Sequence, residues 1–201
     1  MTEGFRSKVY GFCRGMWRII SAITTPLKVY GTENIPGDGA MILCANHVSA
    51  RDPLMIAIAM KRPVAFMSKK ELFESKPLRW LMVRLGTFPV ARGEADLSAM
   101  RTSFSILKGG DCLGIFPQGH RRKKDKTEPP MNTGVAMIAV RSKAPLIPVH
   151  IEGDYRLFRP VRMVFGAPMD FSGISHADKT AMDAVTEQIR ESIFSLEVPE
   201  N

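Results

Sequence analysis

The chain has 201 residues, of which 45% are hydrophobic and 24% are charged, and its formal net charge is +8. This balance excludes a disordered chain, and the length allows one domain of ordinary size but not two. The positive charge favours partners that carry negative charge, so nucleic acid, anionic lipid and phosphorylated substrates all stay open.

The first predicted element is a helix over about 5–23, which ends before Pro26. Apolar residues recur there at helical spacing and cations lie between them. Two interpretations are open: the helix packs on the domain core through its apolar stripe, or it lies in a membrane interface with its cations near lipid phosphates. The apolar positions are Phe5, Val9, Phe12, Met16, Ile19, Ile20 and Ile23, and the cations are Arg6, Lys8, Arg14 and Arg18.

Beyond Pro26, short apolar runs alternate with helical patterns. This alternation predicts an α/β fold with a mixed, largely parallel central sheet flanked by helices. We predict a helical segment over 1–25 and one domain over 26–201. Strands are predicted over 27–30, 40–45, 63–67, 87–91, 112–117, 146–152 and 162–165, and helices over 52–60, 77–85, 95–108, 132–141 and 178–196.

The cysteines and the apolar runs constrain the environment of the chain. Cys13, Cys44 and Cys112 are odd in number and widely spaced, which predicts neither a disulfide framework nor a zinc site. Cys44 and Cys112 lie in apolar runs and are expected to be buried small hydrophobic residues. No stretch reaches the roughly 18 apolar residues of a membrane span, so we do not expect the chain to cross a bilayer by itself.

In open α/β sheets, the loops that leave the carboxyl ends of strands form the ligand crevice. The first such loop, 46–53, carries His47 and, five positions later, Asp52. A carboxylate on one ring nitrogen fixes the histidine tautomer, and the other nitrogen can then take a proton from a substrate hydroxyl. The alternative is that Asp52 only caps the helix that follows. Ser49 has no G-x-S-x-G elbow and is interpreted as a turn residue.

The second and third loops each deliver an arginine: Arg92 at the end of 86–92, and Arg121 at the end of 116–121. Guanidinium forks match phosphate oxygens, so the pair could bind a phosphomonoester. The alternative is that each is an ordinary surface residue. The glycine spacing over 114–119 resembles a Walker loop, but its Lys-Ser/Thr is missing, which excludes that motif. The basic run 121–126 is interpreted as a solvated loop.

The fourth segment, 144–150, is an apolar strand whose prolines indicate a sheet edge or a strand start. It is either plain core or the lining of an acyl channel. His150 and His176 have no patterned partner and are interpreted as structural or exposed residues.

These four segments occur in the order and approximate spacing of the motifs of the glycerolipid acyltransferase family of the PlsC type. Residues 46–53 resemble its N-H-x4-D-P motif, 86–92 its G-x-F-x-x-R motif, 116–121 its F-P-E-G-T-R motif and 144–149 its V-P-I-V-P-V block. The resemblance covers about residues 28–170. The chain departs from the third motif, with Gln118 for Glu and His120 for Thr, and Gln118 keeps an acceptor oxygen without the negative charge.

The resemblance implies transfer of an acyl group from acyl-CoA or acyl carrier protein to the sn-2 hydroxyl of 1-acylglycerol 3-phosphate, giving phosphatidic acid. It implies no metal, no other cofactor and no covalent acyl-enzyme. By the same resemblance, His47 is the general base and Asp52 its orienting acid. The other implied site residues are Arg92, Arg121 and Lys69 as phosphate ligands, and Gln118 and Gly119 for oxyanion binding or loop positioning.

The expected partners are a lysophospholipid, an acyl thioester and an anionic membrane surface, with acyl carrier protein as one of two donors and no nucleic acid. We expect peripheral attachment to the cytoplasmic face of the cell membrane. Three alternatives stay open: another acceptor, such as a different lysophospholipid or glycerol 3-phosphate; a basic nucleic-acid-binding protein; and a thioesterase or lipase that uses the same histidine and aspartate.

Overall fold

A computed structural model describes residues 8–91, 96–121, 128–174 and 178–199. This part of the chain contains seven strands and six α-helices. The strands are β1 Leu27–Tyr30, β2 Met41–Ala45, β3 Val64–Lys69, β4 Thr87–Val90, β5 Cys112–Ile115, β6 Leu146–Glu152 and β7 Val161–Phe165. The helices are α1 Lys8–Thr24, α2 Asp52–Ala59, α3 Lys76–Arg84, α4 Leu97–Lys108, α5 Gly134–Ser142 and α6 Lys179–Phe194. Two 3-10 turns, Thr32–Asn34 and Lys70–Phe73, were not predicted.

The strands form one sheet in the order β1-β7-β6-β2-β5-β3-β4. Every neighbouring pair is parallel except β6 and β7, which are antiparallel. The predicted mixed, largely parallel sheet is therefore confirmed. Because β2 to β6 all run in one direction, their carboxyl ends meet at one edge of the sheet. The loops 46–53 and 116–121 begin at this edge, after β2 and β5.

Strand β2 lies at the centre, and all five of its residues are buried. Ile42 and Cys44 belong to the core cluster that contains residues of α4, α5 and α6. Met41, Leu43 and Ala45 belong to the cluster that contains residues of α2. Alternate side chains of a strand point to opposite faces, so the sheet is covered by helices on both sides, as predicted.

The two strand cysteines are fully enclosed. Cys44 and Cys112 are both buried, which confirms their interpretation as small core residues. Burial raises the pKa of the Cys112 thiol to about 12 and also raises that of Cys44. Both side chains therefore stay uncharged and act only through packing.

Strand β6 lies inside the sheet, between β7 and β2, so the edge position suggested by its prolines is wrong. Pro145 directly precedes the strand, as the alternative of a strand start predicts. Pro148 is tolerated because its carbonyl accepts a bond from Gly166 N just beyond the end of β7. A strand residue directs its N and C=O to the same side, so the N–H that Pro148 lacks would face Gly166, beyond the last residue of β7, and not the ladder with β2.

Helix α1 packs on α2 with its polar side inward. Tyr10 and Ser21 are buried, and the Arg14 guanidinium donates to the carbonyls of Met60 and Lys61. The apolar stripe faces away from the domain: Phe12 is 72% exposed. Core packing through the apolar stripe is therefore wrong for this helix. The other exposed apolar residues of α1 are Met16, Ile19, Ile20 and Ile23.

The direction of α1 determines where this exposed apolar stripe lies. Ser21 Oγ donates to Met55 Sδ near the start of α2 at 3.5 Å, whereas Arg14 contacts the residues that follow α2. The two helices are antiparallel, and the last turn of α1 lies beside the first turn of α2, next to the loop that carries His47. None of the helices in the described ranges is both long and apolar enough to span a bilayer.

Candidate active site

His47 and Asp52 are in direct contact at the carboxyl end of β2. His47 Nδ1 lies 2.8 Å from Asp52 Oδ2, and the aspartate is fully buried as the first residue of α2. The contact predicted from their spacing is thus present. With Nδ1 held by the carboxylate, Nε2 is the ring nitrogen left to exchange a proton with a substrate.

Asp52 receives three further hydrogen bonds. The backbone N–H groups of Val48 and Ser49 donate to Oδ2 at 2.8 and 2.7 Å, and the Tyr155 hydroxyl donates to Oδ1. Both N–H groups belong to the loop that precedes α2, not to the first turn of the helix. The interpretation of Asp52 as a simple helix cap is therefore wrong: the carboxylate organises the His47 loop.

Two neighbours fix the ends of this loop. The buried Asn46 side chain donates to Ile151 O at 2.9 Å and accepts from Ile151 N at 2.7 Å, which extends the pairing of β2 with β6 by one residue. Ser49 Oγ accepts from Arg51 N at 3.2 Å, as expected of a turn residue. Neither residue is arranged as a nucleophile, and both hold the backbone from which the imidazole projects.

Phe116 stacks on the imidazole. Its ring centroid lies 4.2 Å from that of His47, with 26° between the planes, and Phe66 stacks behind it at 5.9 Å. Gly114 makes room for this stack, since a Cβ there would lie 2.2 Å from the Phe66 ring. The loop after β5 therefore covers one face of the imidazole and, together with Asp52, limits its rotation.

Gln118 joins the third loop to the first. It is 2% exposed, its Oε1 accepts from His47 N at 2.9 Å, and its Nε2 donates to Glu128 Oε2 at 2.6 Å. A backbone donor on one side and a carboxylate on the other leave a single amide orientation that satisfies both. This geometry agrees with the loop-positioning role suggested for Gln118.

Glu128 brings a carboxylate next to position 118, where the family motif carries one within the loop. No motif points to this residue, because it lies ten positions from Gln118 and beyond a basic run. Gln118 and Glu128 thus form a pair in which the charge sits on the second residue.

We predict that Gln118→Glu alone lowers the free energy of unfolding by roughly 2–3 kcal/mol, since a second carboxylate would replace the donor that faces Glu128 in a part-buried position. The exchange variant Gln118→Glu with Glu128→Gln should recover at least about half of that loss. Urea denaturation of the two single variants and the double variant measures the coupling. Equal losses in Gln118→Glu and in the double variant would contradict the pairing.

Gly119 has a φ of +66°, and its N–H donates to Phe116 O at 3.0 Å. Asn132 braces the same turn by donating to Pro117 O through its side chain at 3.0 Å. In this arrangement the Gly119 N–H closes the turn, so donation to an oxyanion requires the turn to open. The left-handed φ explains the glycine at this position.

The structure describes two of the three predicted phosphate ligands. Arg121 is exposed at the end of the third loop. Lys69 ends β3, and its Nζ lies 4.0 Å from Glu71 Oε1 in an exposed ion pair. Arg92 lies outside the described residues. One strand, β5, separates β3 from β2, so Lys69 begins about 10 Å along the sheet edge from His47. The shared phosphate site stays a prediction.

Tyr155 was missed in the sequence, although it completes the bonding of Asp52. It lies in the β6–β7 loop, is buried, and has a φ of +56°. Burial, followed by the charge of Asp52, raises the pKa of its hydroxyl, so the group stays protonated and donates. Arg51 holds it in place, with a bond of 2.9 Å to Tyr155 O and its guanidinium 4.9 Å from the ring centroid.

The histidine of strand β6 contacts the C-terminal helix and not this site. His150 Nδ1 lies 3.0 Å from Ile193 O and its ring meets the Phe194 ring edge-on, so it is structural, as predicted. His176 and residues 122–127 of the basic run lie outside the described residues. Within the described ranges, His, Cys, Asp and Glu side chains form no group of three that could hold a metal.

Comparison with known proteins gives consistent results. The family described as "Acyltransferase" matches residues 26–152. The 1-acyl-sn-glycerol-3-phosphate acyltransferase of Bacillus subtilis is 30% identical over 196 residues, covering 94% of this chain and 97% of that protein. The Streptococcus pneumoniae protein of the same name is 31% identical, covering 90% and 70%. The crystal structure of the acyltransferase PlsC from Thermotoga maritima superposes with a TM-score of 0.68 at 25% identity, covering 96% and 80%.

Proposed function

The chain belongs to the acyltransferase family, and we propose that it transfers a fatty acyl group from an acyl thioester to the sn-2 hydroxyl of 1-acylglycerol 3-phosphate. The single observation that carries the proposal is the buried His47–Asp52 contact at the carboxyl edge of the sheet. The names of the Bacillus and Streptococcus relatives support the acceptor. The product of this reaction is phosphatidic acid.

The proposed mechanism follows from the orientation of the imidazole. Nε2 of His47 takes the proton from the acceptor hydroxyl as its oxygen attacks the thioester carbonyl, while Asp52 stabilises the imidazolium that forms. The new ester C–O bond forms, the C–S bond breaks, and the imidazolium returns its proton to the departing thiolate. The acceptor is thus acylated directly, without an acyl-enzyme and without a metal or further cofactor.

We propose Arg121, Arg92 and Lys69 as the groups that bind the acceptor phosphate. Lys69 ends β3 and Arg121 follows β5, and both strands run parallel to β2, so these two cations lie at the same edge of the sheet as His47. Arginine matches phosphate oxygens through a fork of two N–H groups, and lysine adds a point charge. The donor is an acyl thioester of coenzyme A or of acyl carrier protein, which share the reacting group.

We further propose that α1 holds the enzyme on the cytoplasmic face of the membrane, as a peripheral attachment. Its outward apolar stripe, exemplified by Ile19 and Ile23, is exposed to water in the isolated chain. Such a stripe is stabilised when it enters the interface of an anionic bilayer. Because the last turn of α1 lies beside α2, this attachment brings the dyad near a lipid substrate that stays in the membrane.

Product identification tests this function. The purified chain is supplied with labelled acyl-CoA or labelled acyl carrier protein, and with 1-acylglycerol 3-phosphate, lysophosphatidylglycerol, lysophosphatidylcholine or glycerol 3-phosphate. Mass spectrometry should find labelled phosphatidic acid as the main product. Acylation of another acceptor in preference to 1-acylglycerol 3-phosphate, or release of free fatty acid without acceptor, would contradict the proposed substrate.

For Arg121→Ala we expect the KM for 1-acylglycerol 3-phosphate to rise about 10- to 100-fold with kcat nearly unchanged, since a charge-assisted bond to the phosphate contributes to binding before and during the reaction. Initial rates over a range of acceptor concentrations give both constants. Arg141→Ala, an exposed arginine of α5, is the matched control and should change neither. A fall in kcat at constant KM argues against a phosphate-binding role.

A further inference from the structure

The β6–β7 loop carries a second exposed apolar group, separate from α1. Leu157 is 62% exposed and Phe158 is 70% exposed, and they are flanked by the exposed arginines Arg156 and Arg159. We refer to residues 156–159 as the loop tip. The side chains of a typical solvated turn are polar, whereas this tip places its two largest apolar groups outward between two cations.

The tip is held in one position from both sides. On its N-terminal side, Tyr155 bonds to Asp52 and is clamped by Arg51. On its C-terminal side, Phe158 N donates to Thr24 O, the last residue of α1, at 2.6 Å. An internal turn bond from Arg159 N to Arg156 O at 3.1 Å closes the tip. The apolar side chains therefore face solvent although the backbone that carries them is anchored.

The tip lies against the C-terminal end of α1. The bond between Phe158 and Thr24 places the tip against the end of the helix, where Ile23 is 64% exposed. The contact of Tyr155 with Asp52 places the tip on the side of the molecule that carries the dyad. Two segments more than 130 positions apart in the chain thus present apolar side chains on one side of the active site.

We infer that the loop tip enters the surface of an anionic lipid bilayer together with α1. Leu157 and Phe158 would lie among the acyl chains, and Arg156 and Arg159 at the level of the lipid phosphates. The ion pair of Arg156 with Asp154, at 3.0 Å, is exposed on both sides and competes weakly with a lipid phosphate. The inference rests on the proposed membrane attachment and adds a second, specific point of contact.

Two points of contact determine the orientation of the domain on the bilayer. One helix alone does not determine it. A helix lying in the interface leaves the domain free to tilt about the helix axis. A second contact beside its C-terminal end restricts that tilt and holds the His47 loop toward the lipid, because Tyr155 joins the tip directly to Asp52. The tip thereby links bilayer contact to the position of the catalytic acid.

Site-specific fluorescence tests the inference. In a Cys13→Ser background of the full chain, an environment-sensitive fluorophore is attached at Phe158→Cys, Ile19→Cys or Gln188→Cys. Leu157→Cys provides a second tip position if the first variant does not fold. The protein is mixed with vesicles of equal parts phosphatidylglycerol and phosphatidylcholine. We expect the emission to move to shorter wavelength at 158 and 19 but not at 188, which is exposed on α6.

The outcomes distinguish attachment through α1 from insertion of the loop tip. A shift at 19 alone overturns tip insertion while leaving attachment through α1 intact. A shift at all three positions overturns a specific orientation, and no shift at any position overturns membrane contact by both segments. Acylation of 1-acylglycerol 3-phosphate dispersed in detergent is measured in parallel on the unlabelled chain, so that failure of the proposed reaction is recognised independently.

Removal of their positive charge tests the two arginines separately from the apolar side chains. Arg156→Gln with Arg159→Gln should weaken binding to the anionic vesicles about 30-fold, the product of two cations at the lipid surface. Lys108→Gln with Lys179→Gln removes the same charge from exposed positions on α4 and just after the Asp178 cap of α6, and should weaken binding less than about threefold. Equal losses in the two variants would show that binding depends only on the net charge of the protein. That result would overturn the proposed contact of the tip.

Discussion

His47→Ala should reduce acyl transfer by roughly 10³-fold or more, because it removes the only ring placed to take the proton from the acceptor hydroxyl in the proposed mechanism. The fold should survive. Asp52 keeps its bonds to the loop N–H groups and to Tyr155, so no buried charge is left without donors. We expect the free energy of unfolding to fall by about 2 kcal/mol and the melting temperature by less than about 8 °C.

His150→Ala is the matched control for this variant. His150 lies on the neighbouring strand β6, and its ring contacts Ile193 O and the Phe194 ring, away from the dyad. Its removal should lower stability while acyl transfer stays within about threefold of the original. Rates measured at saturating acceptor and donor compare the two variants. Retention of full activity in His47→Ala would exclude this residue as the general base.

Asp52→Asn is expected to produce the second largest loss, about 10²- to 10³-fold in kcat. The asparagine oxygen can replace Oδ2 as acceptor for His47 and the two loop N–H groups, while its NH₂ group can donate to the Tyr155 oxygen. The geometry is therefore retained and the negative charge is lost. The charge is what stabilises the imidazolium at the moment of proton transfer, so the effect should fall on kcat and leave KM nearly unchanged.

Tyr155→Phe is the variant with which Asp52→Asn is compared. It keeps the charge of Asp52 and removes one donor from it, so the loss in kcat should be smaller, on the order of tenfold. Rates and urea denaturation are measured for both variants. If Tyr155→Phe loses stability without any change in kcat, the hydroxyl serves folding only. If Asp52→Asn keeps wild-type kcat, the aspartate has no electrostatic role in the reaction.

Much of the fold could be predicted from local patterns. Strands β1 and β6 have the predicted ends, and α4 begins two residues later than predicted, at the position where Asp96 accepts from Ala99 N as a cap. These elements carry their own signals, since apolar runs bounded by Gly and Pro are short-range features. The place of β6 inside the sheet could not be predicted, because it depends on pairing with β2 and β7, and β2 is remote from β6 in sequence.

The orientation of α1 also escaped prediction. Periodicity identifies an apolar stripe but does not say what the stripe faces. In the structure, polar contacts of Arg14 and Ser21 direct the opposite side of the helix to the domain. Those contacts are made with residues around Met55 and Met60, which are close in space and remote in sequence.

The residues of the site also fall into a group that local motifs predict and a group that they do not. His47, Asp52 and Gln118 could be identified because each lies in a short motif directly after a buried strand. Tyr155 and Glu128 could not be identified, since each reaches the site through tertiary structure and follows no local pattern. Long-range hydrogen bonds of this kind become visible only when the sheet order is known. Arg92 lies outside the described residues, so its role stays a prediction.

The central claim is that one pocket holds the acceptor hydroxyl at His47 and the acceptor phosphate at Arg121. A crystal structure of the chain with 1-acylglycerol 3-phosphate, grown without acyl donor, measures this directly. We predict the sn-2 hydroxyl oxygen within about 3.2 Å of His47 Nε2 and the phosphate in contact with the Arg121 guanidinium. A lysolipid bound with its phosphate on another face, and its hydroxyl out of reach of the imidazole, would contradict the claim.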